Sequence, residues 1–292
     1  MKNKQLAAHL ALFGANLIYG INYSVAKDVM EQYVPPFGFI LSRVIGATLL
    51  FWLAHSLFFS EKVEKKDLPK LFLLGLFGVA VNQLLFFKGL NLTTPINASI
   101  IMTSNPILVL IAANFLLKEQ LTLSKIGGIL LGLTGALMLL FVKADFSFGS
   151  QTWKGDLMVF LNAASYGIYL VMIKPMMQKY KPITVIKWVF LFGLVIVFPF
   201  GIKEFTSIPF DTFTTNIWLE FLFVIVATTF LAYLLNIYAL KRVTPSVVST
   251  YIYLQPLLAG VFAIVLGQDK IDAVKVLSTI LIFSGVYLVS KR

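Results

Sequence analysis

Amide and tyrosine side chains recur at helical spacing within two otherwise apolar stretches of the chain. The stripes consist of Asn16, Tyr19 and Tyr23 in the first stretch and Asn162, Tyr166 and Tyr169 in the second. At 100° per residue, each stripe covers an arc of about 100° or less on its helix. Such side chains hydrogen-bond to a small molecule and stack on it, and they are poorly suited to bond cleavage. We therefore predict a binding cavity, the alternative being hydrogen bonds between neighbouring helices.

Further polar and aromatic residues within apolar stretches are candidates for the same cavity. Asn82 is followed by Gln83, and because neighbouring helix positions diverge by about 100°, we expect Asn82 alone to face it. Tyr233 and Asn236 are three residues apart, so they share one helix face. Tyr251 precedes a proline-containing turn and would add an aromatic contact.

Two prolines, Pro106 and Pro256, lie inside apolar stretches, and each directly follows an amide residue. Proline removes one backbone hydrogen bond and crowds the preceding turn. In a membrane the freed carbonyl is tolerated where it lines a cavity. We therefore expect both prolines to act as hinges beside the binding site, the alternative being static kinks.

Arg43 is the only charged residue well inside an apolar stretch. Two roles are open to it: binding a carboxylate, or extending along its helix to the outer interface. We favour the second, because long basic side chains commonly reach the interface in this way. No acidic residue lies deep in any apolar stretch, so the sequence does not support a carboxylate proton relay.

The composition excludes a soluble globular protein. Of the 292 residues, 59% are hydrophobic and only 13% are charged, and the mean hydropathy is +0.88. An ordinary soluble domain has roughly 25% charged residues. The net charge of +11 comes from short basic clusters between apolar runs. This pattern is typical of the cytoplasmic loops of a membrane protein, and we expect no nucleic acid as a partner.

The sequence also lacks the residue groups that catalysis and metal binding need. It has no cysteine and only two histidines, and no pair of acidic residues lies within an apolar stretch. Membrane enzymes require converging nucleophiles, carboxylates or metal ligands. We therefore predict that the protein is not an enzyme and that it uses neither a metal nor a cofactor.

The apolar stretches predict ten transmembrane helices, since a bilayer core needs about 20 largely apolar residues per helix. We place them near residues 6–27, 36–59, 69–90, 95–117, 124–142, 155–174, 183–202, 218–240, 245–267 and 273–290. If the N-terminus is cytoplasmic, the inner loops carry most of the lysines and arginines. Both termini are therefore expected in the cytoplasm, as the positive-inside rule requires.

The two halves of the chain resemble each other. A shift of 147 residues places Tyr19-Gly20-Ile21 on Tyr166-Gly167-Ile168, and a shift of 150 places Thr94-Pro95 on Thr244-Pro245. Residues 1–146 and 147–292 therefore read as two five-helix repeats within one compact membrane domain. Because five is an odd number, the second repeat enters the membrane from the opposite side. Inverted repeats of this kind are typical of secondary transporters, whose two open states then have similar energies.

A longer motif carries a resemblance to a known family. The segment NPILVLIAANFLLKEQLTLSKIGGILLGLTGALML has a span containing proline, a short polar turn and a glycine-rich closing helix. It resembles the EamA-type half of the drug/metabolite transporter superfamily, and the likeness extends over nearly the whole chain. The second half departs from it, with Gln268-Asp269-Lys270 in place of Lys118-Glu119-Gln120. The resemblance implies a ten-helix carrier with a central cavity that moves amino acids, metabolites or drugs, often outward.

Together these observations predict an all-α integral membrane protein that works by alternating access in the cell membrane. The expected partners are a small-molecule substrate, an amino acid or related metabolite that is exported, and membrane lipid. A channel-like passive uniporter and a multidrug exporter are the alternatives. The spacing of Gly128 and Gly132 predicts close helix packing, within the chain or between two copies.

Overall fold

The computed structural model describes residues 2–93, 95–142, 153–265 and 273–291, and all regular structure in these ranges is helical. The α-helices are α1 (Lys2–Gln32), α2 (Pro36–Phe58), α3 (Leu68–Gly75), α4 (Val81–Leu92), α5 (Pro95–Met102), α6 (Asn105–Leu117), α7 (Leu123–Val142), α8 (Trp153–Lys179), α9 (Pro182–Phe205), α10 (Thr215–Phe223), α11 (Ala232–Leu240), α12 (Pro245–Thr250), α13 (Leu254–Val265) and α14 (Ala273–Ser290). A π-helical segment, Leu76–Ala80, joins α3 to α4, and another, Val224–Leu231, joins α10 to α11. A 3₁₀ turn, Tyr251–Tyr253, joins α12 to α13, and two further 3₁₀ turns cover Lys65–Asp67 and Phe210–Thr212.

Seven helical stretches within the described ranges are long and apolar enough to cross a bilayer. They are Pro36–Phe58, Lys65–Leu92, Ile100–Leu117, Trp153–Lys179, Pro182–Phe205, Thr215–Leu240 and Ala273–Ser290. A shorter apolar helix covers Leu123–Met138. The all-α membrane class that the sequence predicts is thereby confirmed, whereas the count of ten spans stays a prediction.

Helix α2 shows how these helices divide between lipid and protein. Leu49, Leu53 and Leu57, spaced four residues apart, are each more than half exposed. Phe39 and Phe51 on the same helix are fully buried. A continuous exposed stripe of leucine is stable against acyl chains and unfavourable in water. The exposed stripe therefore faces lipid, and the buried rings face the centre of the protein.

Helix packing follows a pattern that repeats between the two halves. Helix α2 packs along α9, and α7 packs along α14. Helix α4 packs along α8, and the corresponding pair of α11 and α1 also packs together. In the same way α6 contacts α8, and α13 contacts α1. The central helices α1 and α8 therefore have matching neighbours from the opposite half.

The glycine spacing on α7 serves a contact within the chain. A Cβ added at Gly128 would lie 2.8 Å from the carbonyl oxygen of Gly285 on α14. In return, a Cβ at Gly285 would lie 2.5 Å from the carbonyl oxygen of Gly128. Glycine at both positions lets the two backbones touch. Of the two alternatives left open by the sequence, contact within the chain is the one observed.

Helix α2 is also fixed at its N-terminus by the far end of α9. One carboxylate oxygen of Glu204 accepts hydrogen bonds from the backbone N–H of Phe37, at 2.7 Å, and of Gly38, at 3.0 Å. These N–H groups have no partner within the helix, and a negative charge there also favours the helix dipole. The contact fixes how α2, which carries Arg43, lies against α9.

Candidate functional site

A cavity of about 120 Å³ lies at the centre of the helices, between α1, α2, α4, α8 and α11, and polar side chains project into it from a mostly apolar wall. It is lined by residues from the N-terminal half and the C-terminal half in nearly equal measure. Seven of the residues that the sequence singles out line it, namely Asn16, Tyr19, Asn82, Asn162, Tyr166, Tyr233 and Asn236. Two stripes on helices far apart in the chain thus face one common space.

Hydrogen bonds across the cavity join the two halves of the chain. Asn236 donates from its side-chain amide to the Tyr19 hydroxyl at 3.2 Å. Asn162 donates to the backbone carbonyl of Asn82 at 2.6 Å. Gln83 approaches the Tyr233 hydroxyl at 3.5 Å. Each bond has one partner before residue 143 and the other after residue 152, so the contacts around the cavity lie between the halves.

Both neighbouring amides of α4 line the cavity, whereas the sequence predicted that Asn82 alone would do so. The Oε1 atom of Gln83 is buried and has no hydrogen-bond partner among the described residues. The cavity extends around α4 over a wider arc than one side chain covers, and glutamine has the longer side chain. The π-helical segment Leu76–Ala80 immediately before α4 also shifts the register of these positions.

Two of the predicted tyrosines, Tyr169 and Tyr251, do not line the cavity. Tyr23 is in α1, but its side chain lies outside the described residues. Tyr169 is 1% exposed, and its ring fills the space above Gly78, where a Cβ would collide with it. The Tyr251 hydroxyl pairs with Nδ1 of His9 at 2.7 Å, and Tyr251 does not line the cavity.

The reason for the position of Tyr251 is the 3₁₀ turn that it begins. This turn covers Tyr251–Tyr253 and changes the direction in which successive side chains point. The cavity is lined instead by Val248, three residues before Tyr251, and by Ile252, the residue after it. Tyr169 packs against the cavity-lining residue Tyr166, with their ring centroids 6.1 Å apart.

Both predicted hinge prolines lie where an apolar helical stretch is divided into two helices. Helix α5 ends at Met102 and α6 begins at Asn105, so Pro106 occupies the first turn of α6. Pro256 similarly lies in the first turn of α13, after the 3₁₀ turn. Proline is well suited to a first helical turn because its missing N–H has no partner there. Each stretch is therefore interrupted beside the cavity, and the prolines themselves do not line it.

The residues before the two prolines make corresponding contacts. Gln255 donates to the side-chain oxygen of Asn16 on α1 at 2.9 Å. Asn105 donates to the backbone carbonyl of Ala163 on α8 at 2.7 Å. Shifts of 150 and 147 residues relate Asn105 to Gln255 and Asn16 to Ala163. Each interrupted stretch is therefore tied to the central helix of the opposite half.

Arg43 corrects the sequence interpretation. The side chain does not extend to the outer interface; it is 4% exposed and lines the cavity. Its Nε donates to the Thr229 hydroxyl at 3.0 Å, and its guanidinium lies 4.7 Å from the centre of the Phe87 ring. The Thr229 hydroxyl and the Phe87 ring are favourable surroundings for the charge that the apolar sequence around Arg43 did not reveal. A lone charge in the middle of a span was the signal for this position.

Sequence reasoning also missed Asn22, Thr228 and Gln255, which line the cavity. Thr228 lies in the π-helical segment Val224–Leu231, where helical periodicity no longer predicts which face a residue occupies. For Gln255 a signal existed, since it is the amide that precedes Pro256. Asn22 lies about 60° beyond the edge of the predicted stripe on α1.

Comparison with known proteins finds a matching family model and relatives that cover most of the chain. The model of the EamA-like transporter family matches residues 6–141 and again residues 153–291. An uncharacterized transporter of Archaeoglobus fulgidus is 27% identical over 86% of this chain and 90% of its own. The uncharacterized transporter YyaM of Bacillus subtilis is 23% identical over 98% of this chain and 94% of its own.

Likeness also extends to a plant protein and to a solved structure. A WAT1-related protein of Arabidopsis thaliana is 25% identical over 96% of this chain and 84% of its own. One crystal structure of a protein superposes with a TM-score of 0.79 over 96% of this chain and 95% of that chain. Its sequence identity is 20%, so it supports the fold alone.

Proposed function

This chain belongs to the EamA-like transporter family, and we propose that it is a secondary transporter that carries a small metabolite across the cell membrane by alternating access. The family and the names of the relatives identify a multi-pass membrane transporter. The finer proposal rests on one observation. Amide and tyrosine side chains project into a central cavity whose wall is otherwise mostly apolar, and hydrogen bonds between the two halves of the chain hold this lining together.

We propose that residues 1–146 and 147–292 form two inverted five-helix repeats with ten spans and that both termini are cytoplasmic. The matching helix pairs and the matching contacts of Asn105 and Gln255 support this arrangement. Two similar halves around one site have inward-open and outward-open states of similar energy. Exchange of the hydrogen bonds between the halves would then open the cavity to one face at a time.

The side chains of the lining fit a molecule with a polar end and an apolar part. Asn16, Asn162 and Asn236 supply amide donors and acceptors, and Tyr19 and Tyr166 supply aromatic faces. We propose that these side chains and Tyr23 hold the substrate, and that Tyr169 and Tyr251 support the lining from outside it. The interrupted stretches at Pro106 and Pro256 would act as hinges during the exchange.

The volume of the cavity favours a metabolite over a drug-sized compound. At about 120 Å³ it is smaller than the roughly 300–1,000 Å³ of drug-sized sites. An amino acid or related metabolite is therefore the proposed substrate, and the family resemblance favours export.

Transport kinetics in proteoliposomes test this proposal against a channel. We expect efflux that saturates with internal substrate concentration, together with counterflow, in which external substrate accelerates exit of the labelled compound. Liposomes without protein are the control. Large unitary currents without saturation would contradict a carrier, because a channel conducts without a conformational cycle for each molecule.

A further inference from the structure

We propose that the substrate carries a compact anionic group, such as a carboxylate, that binds to Arg43 in the central cavity. This inference rests on the proposed transport function and adds the chemical class of the substrate. An arginine side chain stays charged at any physiological pH, so the cavity has a permanent positive charge.

Arg43 is held in place on one side of its guanidinium. The hydroxyl of Thr229 accepts from Nε at 3.0 Å and donates to the carbonyl of Val224 at 2.7 Å, so it is itself oriented. The guanidinium lies 4.7 Å from the centre of the Phe87 ring and 5.6 Å from that of Phe39. These contacts fix the position of the charge and pre-organise it for a ligand.

The charge has no carboxylate partner in the described part of the chain. The residues that line the cavity there include no aspartate or glutamate, and Nη1 of Arg43 is buried without a hydrogen-bond partner. Removing a charge from water is unfavourable unless the charge is paired and hydrogen-bonded. Attraction to the two aromatic rings offsets only part of this cost. An anionic ligand would supply the missing acceptors in the planar geometry that suits a guanidinium.

Two other cations in the protein interior, both lysines, have hydrogen-bond partners within the protein. Lys187, 6% exposed, contacts Nδ1 of His55 at 3.0 Å and lies 4.6 Å from the centre of the Trp52 ring. Lys174 donates to the carbonyl oxygens of Leu240 and Val243. Both lysines lie outside the central cavity. Arg43 differs from them because its Nη1 donor has no hydrogen-bond partner among the residues that the structure describes and the side chain lines the cavity in which a substrate would bind.

An efflux assay with the wild-type protein can determine the chemical class of the substrate. Proteoliposomes are filled with a soluble bacterial metabolite extract, and mass spectrometry identifies compounds that leave faster than from protein-free liposomes. We expect those compounds to contain a carboxylate or another anionic group. Exit of only neutral or cationic compounds would overturn the anion inference and leave the transport proposal intact. If no compound left faster, the transport proposal itself would fail.

Variants of Arg43 test the residue assignment with the compound so identified. Loss of the charge in Arg43→Gln is expected to lower efflux at least about tenfold, whereas Arg43→Lys retains part of it. The matched control is Arg242→Gln. Arg242 also lies on an aromatic ring, 3.7 Å from the centre of Tyr238, but it is outside the central cavity, so this variant should resemble wild type.

A measurement on unmodified protein guards against misfolding of the Arg43 variants. The amide derivative of the identified compound keeps its shape and lacks the negative charge. Wild-type protein should export the amide at least about tenfold more slowly than the acid. Equal export of acid and amide, or wild-type efflux by a folded Arg43→Gln variant, would overturn the inference.

Discussion

Gln255, the residue before Pro256, donates a 2.9 Å hydrogen bond to the side chain of Asn16 on the opposite half of the chain. The corresponding residue Asn105 makes a 2.7 Å bond to the backbone of Ala163. Both bonds start where an apolar helical stretch is interrupted, and both end on a central helix. The points at which the backbone departs from a continuous helix are thus connected to the helices that line the cavity.

A double-mutant cycle on Asn16 and Gln255 should reveal this connection. We expect Asn16→Ala and Gln255→Ala to show a coupling free energy of about 0.6 kcal/mol, and at most about 1.7 kcal/mol, in detergent unfolding, as is typical of hydrogen bonds between membrane helices. Efflux should fall in each single variant. Strictly additive effects on unfolding would mean that the bond does not contribute.

Tyr166→Ala is expected to impair transport and leave expression intact. The ring lines the cavity, so its loss removes contact area from the substrate, and efflux should fall about tenfold or more. The control is Tyr287→Ala, because Tyr287 is 65% exposed on the outer face of α14. Efflux by Tyr166→Ala equal to that of the control would remove Tyr166 from the site.

Replacing the prolines should slow transport without weakening the fold. Alanine at position 106 or 256 permits a continuous helix through the interruption, since it restores an N–H and removes the proline ring. We expect Pro106→Ala combined with Pro256→Ala to reduce the rate of efflux about tenfold. Unfolding temperature, measured in parallel, should not fall.

Pro199→Ala serves as the control for this pair. Pro199 also lies inside a helix, α9, but it is exposed and does not line the cavity. Its replacement should leave efflux unchanged. If the double variant transported at the same rate as Pro199→Ala, the hinge assignment would be wrong and the prolines would only mark static breaks.

The contact between α7 and α14 predicts a strong difference between two similar glycine substitutions. Gly285→Ala places a Cβ 2.5 Å from a backbone oxygen and should lower the free energy of unfolding by about 1–3 kcal/mol. Gly127→Ala meets no atom within 4 Å and should be neutral or slightly stabilising. Equal unfolding curves for the two variants would contradict the close packing of these helices.

The sequence predicted the helical class and seven of the residues that line the cavity, because both depend on periodic patterns. Asn16, Tyr19 and Tyr166 lie on regular α-helices, where spacing at 100° per residue determines which side chains share one face of the helix. Recurrence of the pattern after 147 residues indicated that two such faces meet. These predictions needed no knowledge of tertiary contacts.

The remaining features depend on local departures from the α-helix. The π-helical segment at Val224–Leu231 places Thr228 in the cavity, and the 3₁₀ turn directs Tyr251 towards His9. Arg43 was assigned to the interface because a charge in an apolar run is normally unfavourable, and only tertiary structure reveals Thr229 and Phe87 beside it. Such contacts join residues far apart in the chain and leave no periodic signal.

Access to the cavity from the two sides of the membrane tests the central claim most directly. The chain contains no cysteine, so Val248→Cys, at a position lining the cavity, introduces a single thiol. A membrane-impermeant maleimide is applied separately to each face of oriented vesicles, with and without the transported metabolite. We predict labelling from both faces and slower labelling when the metabolite is present. Labelling from one face only, or labelling unaffected by saturating metabolite, would contradict a cavity that binds substrate and opens to each side in turn.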